Sequence, residues 1–130
     1  FDGKSLDGWK RLGGEATYEV SNGEIVGKTV KGTPNAFLCT EREYANFELE
    51  YEVWVDPKLN SGVQIRSHSV GGYQNGRVHG YQIEIDPSDR AWSGGLYEEG
   101  RRGWLFQPAS PRAKSAFKNG QWNKFKVWAW

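Results

Sequence analysis

The stretch Asn46-Phe47-Glu48-Leu49-Glu50-Tyr51-Glu52-Val53-Trp54-Val55 alternates apolar and polar residues over its whole length. Side chains on an extended chain point to opposite faces in turn, so Phe47, Leu49, Tyr51, Val53 and Val55 share one face, with Glu48, Glu50, Glu52 and Trp54 on the other. Such a run is a half-buried strand. Evenly spaced glutamates on one face of a strand read first as a solvated outer surface. Trp54, on that polar side, is a candidate platform for stacking on a ligand.

Shorter runs of the same kind flank it. Tyr18–Val20 and Ile25–Gly27 enclose Asn22-Gly23, the dipeptide of a tight hairpin turn. Phe37–Thr40 is a short strand, Asp56-Pro57 and Asp86-Pro87 are turns, and Trp122–Trp130 reads as a strand with no closing partner, which predicts a domain that continues further. No amphipathic helix of ordinary length interrupts the pattern. The fold class is therefore all-β, an antiparallel sandwich or a relative of it, in one domain over residues 1–130.

Composition limits the function. Seven tryptophans and 17 glycines among 130 residues fit strands joined by tight turns, and flat indole rings also suit the faces of sugars. A net charge of +1 gives no nucleic-acid footprint. No run approaches the ~18 apolar residues of a membrane-spanning helix. The single cysteine, Cys39, lies in the apolar run Phe37–Thr40 and reads as a small core filler.

The chemistry is concentrated in Asn60–Glu99. Gly80-Tyr81-Gln82-Ile83-Glu84-Ile85-Asp86 places Gln82, Glu84 and Asp86 on one strand face, and Asn60-Ser61-Gly62-Val63-Gln64-Ile65-Arg66 places Gln64 and Arg66 together with Asn60. If the two strands are neighbours, amides, a guanidinium and carboxylates share an exposed surface. Asp86 precedes a proline and reads as a turn cap. A divalent metal, calcium or a transition metal, stays open because His79, Glu84 and Asp86 carry nitrogen and oxygen donors, although the spacing matches no strong metal motif.

Six motifs in order carry a family resemblance: Phe1-Asp2-Gly3-Lys4-Ser5-Leu6-Asp7-Gly8-Trp9, Tyr44–Leu49, Asn60–Arg66, Gly80–Asp86, Gly94-Gly95-Leu96-Tyr97 and Gln121-Trp122-Asn123. Together they resemble the 3-keto-disaccharide hydrolase domain. The resemblance implies a concanavalin-like jelly-roll β-sandwich of two antiparallel sheets with its site on the concave sheet. It also implies an exported bacterial protein, secreted or periplasmic, acting on a small oxidised sugar or glycoside.

A ketone at C3 acidifies the hydrogen on C2, so the C1 substituent can leave by β-elimination before water adds back. That route calls for a base, an electrophile for the enolate oxygen and an acid for the leaving oxygen. The candidates are His79 as base, Glu84 as base or acid, and Arg66 as electrophile. Asn60, Gln64 and Gln82 suit hydroxyl recognition, and Trp54, Trp92 and Tyr97 suit stacking. Two other readings compete: an ordinary two-carboxylate glycosidase and a non-catalytic, lectin-like sugar-binding module.

Overall fold

A computed structural model describes residues 1–130. The chain is all-β, with every strand pairing antiparallel, one α-helix of a single turn and a 3-10 turn at Gln74–Gly76. This is the secondary structure a β-sandwich requires. Its sheets number four, three two-stranded and one four-stranded. No helix is long and apolar enough to cross a membrane.

Two compact units are present, residues 1–43 with 69–78, and residues 44–68 with 79–130. In the first, β1 (Trp9–Gly13) pairs with β4 (Ala36–Thr40), and β2 (Thr17–Ser21) pairs with β3 (Glu24–Lys28). The β2–β3 turn is Asn22-Gly23 with φ of 52° and 78°, the two left-handed residues that match the twist of a tight hairpin. Cys39 is half-buried on β4. Burial pushes its thiol up, and the structure agrees with a packing role.

In the second unit, β5 (Phe47–Val53) pairs with β10 (Asn123–Ala129), while β6 (Ser61–His68), β7 (His79–Ile85), β8 (Leu96–Glu99) and β9 (Gly103–Phe106) form the four-stranded sheet in that order. Between β9 and β10, Ser110 caps the one-turn helix α1 (Pro111–Lys114) by accepting from the Ala113 amide. Alternation on β5 has the predicted outcome. Tyr51 stacks on Phe125 at 5.1 Å, and the opposite face sets Glu48 and Glu50 against Lys126 at 3.2 and 2.9 Å. These glutamates are a solvated, lysine-matched face.

Ile85, Val127 and Ala129 supply the buried apolar side chains of this unit. Beside them stand four buried carboxylates, Glu84, Asp86, Glu98 and Glu99. Acidic residues are almost never buried without partners, so the partners define what each does. Glu98 sits at the β8–β9 hairpin, clasped by Arg102 through Nε and Nη2 and approached by Arg101 at 3.6 Å. That cluster closes a turn. Glu84 and Asp86 belong to something else.

Candidate active site

Strand register builds one row across the four-stranded sheet. Gln64 lies opposite Gln82, Gln82 opposite Tyr97, and Tyr97 opposite Trp104. Glu84, two residues from Gln82, shares its face and lies opposite Gly62. Alternation predicted this grouping of Gln82 with Glu84. It also predicted solvent exposure, and there the structure differs, since Glu84 is 2% exposed.

Three donors reach the Glu84 carboxylate: Gln82 Nε2 to Oε2 at 2.8 Å, Asn60 Nδ2 to Oε1 at 3.2 Å, and the Arg90 guanidinium 3.6 Å from Oε1. Burial outweighs them and pushes its proton affinity above the ordinary carboxylate range, with the Asp86 charge adding to the rise. Asp86 goes the other way. Burial is the largest single influence on it and raises its affinity for a proton, but the opposing bonds together outweigh that. The Ser88 hydroxyl at 2.6 Å, Arg90 Nε at 2.8 Å, and the amides of Trp92 and Ser88 at 3.2 and 3.1 Å hold its carboxyl below the usual range. The two neighbouring carboxyls are thus driven apart, Glu84 toward holding a proton and Asp86 toward staying charged.

Asp86 is the turn cap its sequence context predicted. Its backbone N–H donates to Ser93 Oγ at 2.8 Å, and the Ser93 hydroxyl reaches the Asp86 carbonyl at 3.1 Å. Gly94 N–H donates to Glu84 O, and Glu84 N–H to Gly95 O, so the loop returns onto the strand it left. The closed loop aims Arg90 back at the sheet. The guanidinium carbon lies 4.6 Å from the Trp92 ring centre and 5.0 Å from that of Trp104, a cation–π seat on two indoles. Trp104 in turn meets Trp92 and Tyr97 edge-on, with ring centres 4.8 and 5.1 Å apart. Nε of Arg90 is on Asp86 and Nη2 lies beside Glu84, while the side chain as a whole stays 39% exposed.

Of the residues singled out by sequence, Asn60, Gln64, Gln82, Glu84, Trp92 and Tyr97 therefore come together. Three do not. Arg66 was expected on the Gln64 face, but the β6–β7 register shifts between Ile65 and His68 and Arg66 has a left-handed φ of 49°. Its Nη2 donates to Asn46 at 3.4 Å instead. His79 opens β7 opposite His68, with ring centres 6.1 Å apart. Five residues separate it from Glu84, ~16 Å along a strand.

Trp54 follows β5, is 50% exposed and makes no ring or polar contact with the Glu84 row. The proposed metal set of His79, Glu84 and Asp86 is dispersed by the same strand geometry. No group of three or more His, Cys, Asp or Glu side chains gathers elsewhere. His79, Glu84 and Asp86 therefore do not form one metal-binding group.

Arg90 and Trp104 went unassigned in the sequence. For Arg90 the available signal was its i, i+4 spacing from Asp86 around a proline turn. For Trp104 it was the Gly100–Gly103 turn, which sets the register opposite Tyr97.

A buried carboxyl whose proton affinity is raised, an arginine beside it and a cluster of indole and phenol rings thus stand together on an antiparallel sheet. The chain belongs to the 3-keto-alpha-glucoside-1,2-lyase-like domain family, whose pattern matches residues 1–129. No curated protein matches it.

Proposed function

We infer that this domain cleaves the glycosidic bond of 3-keto-glycosides by elimination at C2 followed by hydration. The observation that carries the reading is the Glu84–Arg90 pair. A carboxylate poised to take a proton stands 3.6 Å from a guanidinium that is partly exposed to solvent. Glu84 removes the C2 hydrogen. Electron density moves into the C3 carbonyl, where the Arg90 N–H groups stabilise the enolate oxygen as a preorganised donor pair.

The enolate then expels the C1 oxygen, and Glu84 returns its proton to that leaving group. Water adding across the resulting C1=C2 double bond, hydroxyl to C1 and hydrogen to C2, completes net hydrolysis. Trp92, Tyr97 and Trp104 offer faces and edges on which a pyranose ring can rest. Asn60, Gln64 and Gln82 supply amides for its hydroxyls. The family assignment favours an exported setting, where oxidised sugars are scavenged.

An ordinary two-carboxylate glycosidase fits less well. Asp86, the second carboxyl on this face, already accepts from Ser88, Arg90 and Trp92 and stays ionised beside its cation. Neither an acid nor an unencumbered nucleophile remains there. A lectin-like module would use the rings and call for no proton transfer at Glu84, so it predicts sugar binding that survives Glu84→Gln.

The test is cleavage of a chromogenic 3-keto-glucoside beside the matching unoxidised glucoside, for the unchanged chain and Glu84→Gln. Turnover of the keto sugar alone, abolished in the variant, is expected. Cleavage of both sugars would establish glycosidase chemistry, and binding without cleavage would establish a sugar-binding module.

A further inference from the structure

Glu84 sits at one end of a hydrogen-bonded row that can serve both of its protonation states. With the carboxylate ionised, every donor in the row points toward it. Ser67 Oγ donates to Gln64 Oε1 at 2.6 Å, Gln64 Nε2 to Gln82 Oε1 at 3.0 Å, and Gln82 Nε2 to Glu84 Oε2 at 2.8 Å.

A proton on Glu84 turns an acceptor into a donor. Oε1 cannot hold it comfortably, because that oxygen faces the Asn60 amide nitrogen and the Arg90 guanidinium, which has no acceptor to offer. Oε2 faces Gln82 alone. A half-turn of the Gln82 amide presents its oxygen to the new O–H, and its nitrogen then faces Gln64. The Gln64 amide turns likewise and presents its nitrogen to Ser67 Oγ. The Ser67 hydroxyl proton needs another acceptor, and the Ile65 carbonyl already lies 3.2 Å from Oγ. Each polar atom of the row keeps a partner in both states, which matters because an unsatisfied buried amide or carboxyl is costly.

Two glycines leave room for this movement. A β-carbon at position 62 would lie 2.4, 2.5 and 2.7 Å from Gln82 Cγ, Cδ and Nε2, and one at position 80 would lie 2.4 Å from Ser67 Oγ. Such separations are incompatible with a side chain in place. The charged neighbours of Glu84, Arg90 and Asp86, keep their charge in both states, so the reversal falls to the neutral row.

We propose that Ser67, Gln64 and Gln82 form a reversible hydrogen-bond relay whose direction inverts each time Glu84 gains or loses a proton. It rests on the reading that Glu84 carries a proton between atoms of the substrate. Gln82, Gln64 and Ser67 are then positioning residues for the acid–base step.

The experiment is a pH titration of the 15N-glutamine-labelled chain by NMR. Side-chain NH2 signals are followed alongside the Glu84 carboxyl carbon. The Gln82 and Gln64 signals are expected to shift together at the Glu84 midpoint. Ser67→Ala is expected to diminish the Gln64 response and spare that of Gln82, and Gly62→Ala to uncouple both. A Gln64 signal flat through the Glu84 midpoint, or one following it unchanged in Ser67→Ala, overturns the relay. Turnover of the 3-keto-glucoside is assayed separately and does not enter the titration. A chain that shows the coupled shifts yet leaves the 3-keto-glucoside intact keeps the relay and loses the catalytic reading.

Discussion

Replacing Arg90 by methionine tests the proposed pair most directly. The substitution keeps a long side chain against Trp92 and Trp104 and removes the charge. At 3.6 Å, Coulomb's law gives about 1 kcal/mol between unit charges in bulk water and about 5 kcal/mol at a dielectric near 20. The Arg90 side chain is 39% exposed while that of Glu84 is 2% exposed. Solvent screening therefore places the coupling in the lower part of that range, at about 1–2 kcal/mol.

The sign follows from charge. The guanidinium favours the Glu84 carboxylate, so its loss raises the proton affinity of Glu84 further. The limb of the pH–rate profile that reports the ionised base moves to higher pH. Loss of the enolate donors is larger, about 10²–10³-fold in kcat by analogy with the removal of an oxyanion donor. Asp86 keeps its Ser88 and Trp92 donors in the variant, so the loop retains most of its anchor. Circular dichroism checks the fold, and Arg90→Lys separates charge from fork geometry. A folded Arg90→Met chain with near-normal kcat and an unmoved limb would refute the role given to Arg90.

Further outcomes are expected elsewhere. Glu84→Gln should lose cleavage while gaining stability at neutral pH. A carboxyl whose folded proton affinity is raised favours the fold in its neutral form, an advantage present at low pH and lost as pH rises through the folded value; the variant's excess stability in urea melts should therefore shrink on acidification. The Tyr51 hydroxyl is buried without a hydrogen-bond partner, so Tyr51→Phe should stabilise the chain by about 1 kcal/mol or more, read as a higher urea midpoint. His79→Ala should leave keto-glucoside turnover essentially intact, because the imidazole lies far along the strand from Glu84; loss of turnover would return the base to His79. Trp104→Ala, which removes the ring that contacts Trp92, Tyr97 and Arg90, should weaken binding of a keto-sugar in calorimetry more than Trp54→Ala does.

Alternation carried the sequence reading a long way. Strand period two put Glu84 with Gln82, matched the β5 glutamates to solvent, and brought the Asn22-Gly23 hairpin out correctly, since each depends only on residues adjacent along the chain or directly opposite. What escaped depended on non-local closure. Arg66 meets Asn46 where the β6–β7 ladder shifts at a left-handed residue, which no side-chain pattern marks. Arg90 joined the site because Ser93 folds the Asp86–Gly95 loop back on its strand, and a turn-rich sequence announces a loop without announcing its aim. The burial of Glu84 was hidden for a related reason: polarity reports what a residue prefers, whereas this carboxyl is held against its preference by the partners around it.

The β5–β10 ladder has a consequence for how the protein comes to be folded. Phe47 lies opposite Ala129, about 80 residues further along, so the pairing closes a long loop whose entropy must be met before any contact rewards it. During synthesis, β5 leaves the ribosome well before the strand that will pair with it. Until β10 emerges, the unpaired edge and the apolar Phe47, Leu49, Tyr51 and Val53 stand available to other chains. Expression at lower temperature, or with a chaperone that shields extended segments, should therefore raise the soluble yield more than a substitution that only strengthens the local β2–β3 hairpin.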